Sequence, residues 1–232
     1  MSDPVRSTPE PAPAGPPTDA LVLRRELLDL LVGNRGRELQ TRMEEALSRI
    51  GLGRFVRDVI APLTTEVGDA WMQGRLELFQ EHFYTELVQR LLRTALSRRP
   101  GAAVSRPHVL LTTSSGEPHA LGLLMAEVAL TLEGCRCTSL GVQTPVWDIA
   151  RAADALDVDV VALSHSGSVN PNETLDTLTE LRTKLPGRVA IWAGGSAPVL
   201  RRRTIDGVKP LTTLETVAAA VAAWRVVQPP AS

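Results

Sequence analysis

From Asp19 to about Arg98 the apolar side chains recur at the spacing of one helical face, and almost nothing alternates as a strand would. The stretch DALVLRRELLDLLVGN predicts a first helix, with Asp19 placed to cap it and Gly33-Asn34 to stop it. GRELQTRMEEALSRIG predicts a second, ended by Gly51, and FVRDVIAPLTTEVGDAWMQG a third. Pro62 inside the third implies a kink or an early start. LELFQEHFYTELVQRLLRTALSRR predicts the longest helix, which stops before Pro100. Four helices joined by short turns imply a bundle over residues 19–99.

Beyond RRPGAAVSRP the period changes to short apolar runs separated by helical stretches. HVLLTT, RCTSLG, VDVVALS, RVAIWAG and a short run near GVKPL predict five strands. Helices are expected between them at about 119–133, 146–156, 172–185 and 213–226. Strands apolar on both faces and alternating with helices imply a parallel, doubly wound, Rossmann-like (flavodoxin-like) sheet over residues 107–227. The fold class is therefore α/β: a four-helix bundle, then a five-stranded parallel sheet.

Composition narrows the function classes. With 25 basic against 26 acidic residues there is no broad electrostatic footprint for nucleic acid or an anionic membrane, and Arg201 to Arg203 read as a solvated loop or a phosphate contact rather than a DNA patch. Residues 1–18 carry six prolines and no apolar core of a signal peptide, so a disordered tail and a cytoplasmic protein are expected. The run TVAAAVAAW is too short to span a bilayer. Cys135 and Cys137, two apart, read as free, reduced thiols. No phosphate-cradling loop, hydrolytic triad or zinc cluster stands out, and neighbours such as Ser164 and His165 point to opposite faces of a strand.

Ligands on doubly wound sheets bind beyond the carboxyl ends of the strands. There the chain places Glu117 and His119, then SHSG at 164–167, then AGGSAP at 193–198. The spacings are 41 residues between Gly122 and Ser164 and 27 between Ser166 and Gly194. An imidazole with a carboxylate two residues away suits a metal ligand whose second nitrogen needs an acceptor. His165 is a candidate for lining the same pocket, and His108, at the start of a strand, reads as structural.

Glu117-Pro118-His119-Ala120-Leu121-Gly122, Ser164-His165-Ser166 and Gly194-Gly195 resemble the signature of the cobalamin-binding domains, Asp-x-His-x-x-Gly, Ser-x-Leu and Gly-Gly. Glu117 replaces the usual aspartate, and Ser166 stands where leucine is common. The resemblance implies that the benzimidazole of the cofactor leaves cobalt and His119 takes the lower axial position. It further implies that Glu117 orients His119, that Gly122, Gly194 and Gly195 admit the nucleotide tail, and that Ser164 bonds the displaced base. WMQGRLELFQEH, with nine residues between Trp71 and Glu81-His82, resembles the helical cap of cobalamin-dependent photoreceptors. That resemblance implies that Trp71, Glu81 and His82 contact an upper adenosyl group. Some of those sensors carry a second histidine after the tryptophan, where this chain has Met72.

The expected function is a light or ligand sensor that holds cobalamin, as adenosylcobalamin, between bundle and sheet and signals through a partner protein or self-association. No winged-helix segment precedes the bundle, so direct DNA binding is not expected. A corrinoid methyl carrier serving a methyltransferase is the alternative. A linear tetrapyrrole such as biliverdin, held noncovalently because the bundle has no cysteine, is a possible addition.

Overall fold

The computed structural model describes residues 18–98 and 106–227. The expected tail lies almost wholly outside the described residues. The chain begins with α1 (Thr18–Val32), α2 (Gly36–Ile50) and a short α3 (Leu52–Arg54). A π-helical turn (Phe55–Ile60) leads into α4 (Ala61–Met72), and α5 (Leu78–Ser97) completes the helical half. Asp19 lies inside the first turn of α1 and does not precede it, which corrects its assignment as the cap.

Pro62 does not break the third rod. The helix passes through the π turn, where the Ala61 amide donates to the Val56 carbonyl, five residues back. Proline has no N–H for the Asp58 carbonyl, four residues before it. The Arg24 guanidinium of α1 donates to that carbonyl at 3.4 Å and pairs with Glu66 at 3.1 Å. A cation on a neighbouring helix thus reaches the carbonyl four residues before the proline.

The second half runs β1 (His108–Thr112), α6 (Ala120–Leu132), β2 (Arg136–Ser139), α7 (Val146–Ala155) and β3 (Val160–His165). It continues with α8 (Pro171–Lys184), β4 (Ala190–Gly195), α9 (Val199–Arg202), β5 (Val208–Leu211) and α10 (Glu215–Val227). The five strands are all parallel in the order β2-β1-β3-β4-β5, the flavodoxin-like winding expected from the alternating pattern. The four-residue α9 after Pro198 was not foreseen, because it is too short to show a period.

Alternate residues of each strand fill two cores. Leu110, Val161, Leu163 and Ile191 pack with residues of α7, α8 and α9. Val109, Leu111, Val160 and Trp192 pack with residues of α6 and α10. Helix α6 is apolar on more than one face, for a reason the contacts supply. Leu123 and Leu130 turn to the sheet, while Leu121, Leu124, Met125 and Val128 join the core of the helical bundle. The bundle therefore sits on α6, the helix that starts immediately after His119. Cys135 is buried and Cys137 half-buried, both unpaired, and burial pushes their thiols up to about 11 and about 12. Among the described residues no helix is long and apolar enough to cross a membrane.

Candidate cofactor site

The rim of the sheet between β1 and β3 is where the strand order reverses, and the polar loops after those strands meet there. Glu117 is fully buried, yet both carboxylate oxygens are used. Oε1 accepts the His119 backbone amide at 3.1 Å and the His119 Nδ1–H at 2.6 Å, and Oε2 accepts the Ser166 amide at 2.6 Å. Burial alone would push this carboxyl up. The donors from His119 and Ser166 outweigh it and hold the group at about 2.

The same bond raises the basicity of His119: the Glu117 hydrogen bond comes first, opposed by burial, with smaller help from the charges of Glu117 and Glu81. With Nδ1 committed to the carboxylate, Nε2 is the nitrogen left to bind a metal, on a side chain 57% exposed. The Ser166 and Ser168 hydroxyls lie 3.2 and 3.5 Å from Nδ1 and 2.6 Å from each other. Thr113 Oγ1 donates to the Glu117 carbonyl at 2.6 Å and accepts the Gln143 amide at 2.8 Å, which fastens the loop from behind. Neither Ser168 nor Thr113 was singled out from sequence. The polar runs TTSS and SGS that follow β1 and β3 were the available signal. Ser166, the departure from leucine, contributes an amide that any residue has and a hydroxyl that leucine lacks.

The three glycines have a reason within the protein itself. A Cβ on Gly122 would stand 2.6 Å from Ser164 Oγ, and one on Gly194 3.0 Å from the Leu211 carbonyl. Gly195, at φ +108°, leaves 2.1 Å between an added Cβ and the His165 carbonyl. Ser164 thus faces α6, and His165, one residue on, turns to the face covered by α7 and α8. That places the His165 ring away from Ser164. Both its nitrogens are buried without a hydrogen-bond partner among the described residues.

His165 gives the fold an acid weakness. Burial, with Glu117 opposing, pushes the ring from 6.5 down to about 4, so the folded state refuses a proton the unfolded chain accepts. Stability should fall as pH drops from 6.5 towards 4, by about 3 kcal/mol in all. The Glu117 contribution is lost only further down, between 4.5 and about 2. His119, whose basicity is raised, contributes fully below its unfolded value of 6.5 and loses that contribution above it, so it does not mask the His165 slope. Denaturant melts of the parent and His165→Leu across this range check it; the variant should lose the slope between pH 4 and 6.5.

In the helical half, Trp71 at the end of α4 is 46% exposed and is not bundle core. Glu81 is half-buried and accepts a hydrogen bond from Thr85 at 2.9 Å, while His82 is exposed, its Nε2 3.7 Å from Glu81. Phe79 and Phe83 are also exposed, and Tyr84 alone of that aromatic group enters the core. Helices α5 and α6 pack against each other, and the charge of Glu81 adds to the raised basicity of His119.

A chemical test of fit is available in these residues. A cobalt held by the protein needs one nitrogen ligand with its tautomer fixed and hydrogen-bonding groups around it. The Glu117–His119 pair with the Ser166 and Ser168 hydroxyls meets that need.

Two family models described as B12 binding domains match the chain, over residues 107–208 and 23–95. The HTH-type transcriptional repressor CarH of Myxococcus xanthus is 36% identical over 155 residues, 67% of this chain and 51% of its own length. The HTH-type transcriptional repressor CarA of the same organism is 30% identical over 170 residues, 72% of this chain and 56% of its own. The chain thus spans about half the length of these curated relatives. Among solved structures, the Methanosarcina barkeri monomethylamine corrinoid protein superposes with a TM-score of 0.66 at 18% identity, covering 89% of this chain and 99% of that one, which shows a shared fold. The signature residues gathered on one rim, the bundle seated on α6 and the two matched models lead to one conclusion: the chain belongs to the family of cobalamin (B12)-binding domains.

Proposed function

We propose that the protein is a cobalamin-dependent light sensor, holding adenosylcobalamin between the bundle and the rim of the sheet. The observation that carries this reading is the Glu117–His119 pair, 2.6 Å apart, with Nε2 free on the exposed edge of the ring. His119 would hold the cobalt through Nε2 in place of the cofactor's own base, and Glu117 would keep that lone pair directed outward. Ser164, Gly122, Gly194 and Gly195 form the groove that receives the nucleotide tail, and Ser166 steadies the carboxylate. Trp71, Glu81 and His82 close the upper face.

When bound with an adenosyl group, cobalamin supplies a cobalt–carbon bond that light can break. The protein's part is to hold different contacts before and after. Glu81 and His82 offer polar partners to a ribose and Trp71 a flat apolar wall. When those partners go, the α5 turn and the α4 end lose their reason to stay closed, and only such a difference can shift the bundle. Met72 offers a thioether where some of those sensors carry an imidazole, and His82 is the imidazole of the helical half.

Cobalamin-binding folds also serve methyl carriers, and the shared fold does not separate the two. The half-exposed Trp71 beside the α5 turn favours the sensor, because a carrier needs an upper face open to partners. Exposed Met72, Leu78 and Phe79, at the adjoining ends of α4 and α5, offer apolar surface for a noncovalent bilin such as biliverdin as a second chromophore. The test is illumination of protein loaded in darkness with adenosylcobalamin, with and without biliverdin, following absorption and size in solution. The sensor reading expects a permanent spectral change together with a change in oligomeric state or partner binding. Unchanged spectra and size, together with methyl transfer from methylcobalamin-loaded protein to a thiol or folate acceptor, would replace it with the carrier reading.

A further inference from the structure

Gln80 lies between the exposed Phe79 and the half-buried Glu81, and is itself buried, with its carboxamide fully engaged. Its Oε1 accepts the Glu77 amide at 2.8 Å, and its Nε2 donates towards the Leu31 and Val32 carbonyls, each at 3.1 Å, and Asn34 Oδ1 at 3.0 Å. Turning the amide over would set its oxygen against two carbonyl oxygens, so this orientation is fixed by chemistry. Gln80 is also the third residue of α5 and completes a capping box with Glu77. One side chain therefore closes the first turn of α5 and satisfies the last carbonyls of α1.

Three residues on, Phe83 covers Gly36 so closely that an added Cβ would meet its ring at 2.8 Å. Residues 80 and 83 thus bind α5 to the α1–α2 turn, and Glu81 and His82 lie between these two attachments. Helix α5 also packs against α6, the helix that begins directly after His119.

We propose that Gln80 is the positioning residue of the upper face: it fixes the height of Glu81 and His82 over His119, and it connects their occupancy to the α1–α2 turn. This rests on the role proposed above for Glu81 and His82. With the carboxamide in place, ordering the α5 turn around a ligand also orders residues 33–35, whose amides donate to Asp29, Leu31 and Leu30 carbonyls at 2.9, 3.1 and 2.9 Å. Without it, the two elements part and the upper contacts loosen while the His119 contact remains.

Hydrogen exchange and affinity in darkness test this, with adenosylcobalamin and hydroxocobalamin as probes. In the parent, adenosylcobalamin should slow exchange at Gly33, Asn34 and Arg35 together with the first turn of α5. Gln80→Met keeps the volume and removes the hydrogen bonds. It should still bind both cobalamins through His119, but lose about tenfold, about 1.4 kcal/mol, in its preference for the adenosyl form, and its protection at 33–35 should vanish. Leu27→Ala, a core truncation in α1, should lower stability without moving that preference. Glu81→Ala separates the two readings. If it loses the preference while Gln80→Met keeps it, the positioning role is wrong and the upper-face reading stands. If Glu81→Ala keeps the preference, both fall. Absence of slowed exchange at 33–35 in the parent overturns the connection without any variant.

Discussion

His119→Ala will cost more than the roughly 10- to 100-fold in cobalamin affinity that loss of an outer-shell partner of a metal ligand typically costs. It should do so with the fold retained, at a cost of about 1–3 kcal/mol for the buried Glu117 left short of a donor. The ring is 57% exposed, so little apolar burial is lost with it. What goes is the axial nitrogen, together with the reason for burying Glu117, whose Oε1 would keep only the His119 backbone amide. Glu117→Gln is the milder companion: the amide can still accept from His119 but no longer draws its proton, so affinity should fall within that outer-shell range. Titration of the reconstituted proteins, with unfolding curves alongside, checks both. Equal affinity in His119→Ala and parent would remove the axial role.

Gly195→Ala should be the most damaging single methyl in the sheet. The residue sits at φ +108°, where a side chain is strained, and its new Cβ would lie 2.1 Å from the His165 carbonyl oxygen and 2.9 Å from its carbon. Those atoms belong to the β3 backbone, paired in register with β4, and cannot rotate away. A loss of about 3–5 kcal/mol is expected, large enough to unfold a marginal domain. Gly122→Ala is the contrast. Its Cβ would meet Ser164 Oγ at 2.6 Å, a hydroxyl that can swing aside, so the cost should stay near 1 kcal/mol or below. Urea melts of the two variants rank them; a Gly195→Ala protein as stable as the parent would mean that the close approach of β3 and β4 is not required.

The parts of the fold legible in the sequence are those with a period. The change from helical spacing to short apolar runs near residue 100 marked where the sheet begins, and doubly apolar strands implied the parallel winding. The π turn at 55–60 was hidden because FVRDVI buries four apolar residues in either kind of helix. The Arg24 bond to the Asp58 carbonyl was hidden because its partner lies on another helix.

The candidate site divides in the same way. Glu117 and His119 are two residues apart, so their contact could be expected from local chain geometry. The Ser166 amide on Glu117, the Thr113 brace and the Gln80 clamp span 30 to 49 residues or depend on loop paths, and no local pattern announces them. The glycines were legible as glycines but for an incomplete reason. They were expected to admit a ligand; in the structure the protein's own backbone and Ser164 already demand them.

The central claim is that the Nε2 of His119 is the lower axial ligand of cobalt. Electron paramagnetic resonance of the protein loaded with cob(II)alamin reads the nuclear spin of that nitrogen directly. In protein grown with ¹⁵N-histidine, the superhyperfine triplet should become a doublet, and His119→Ala should lose the doublet. A triplet unchanged by the labelled histidine would show that the cofactor's own base still holds the cobalt, and would contradict the account.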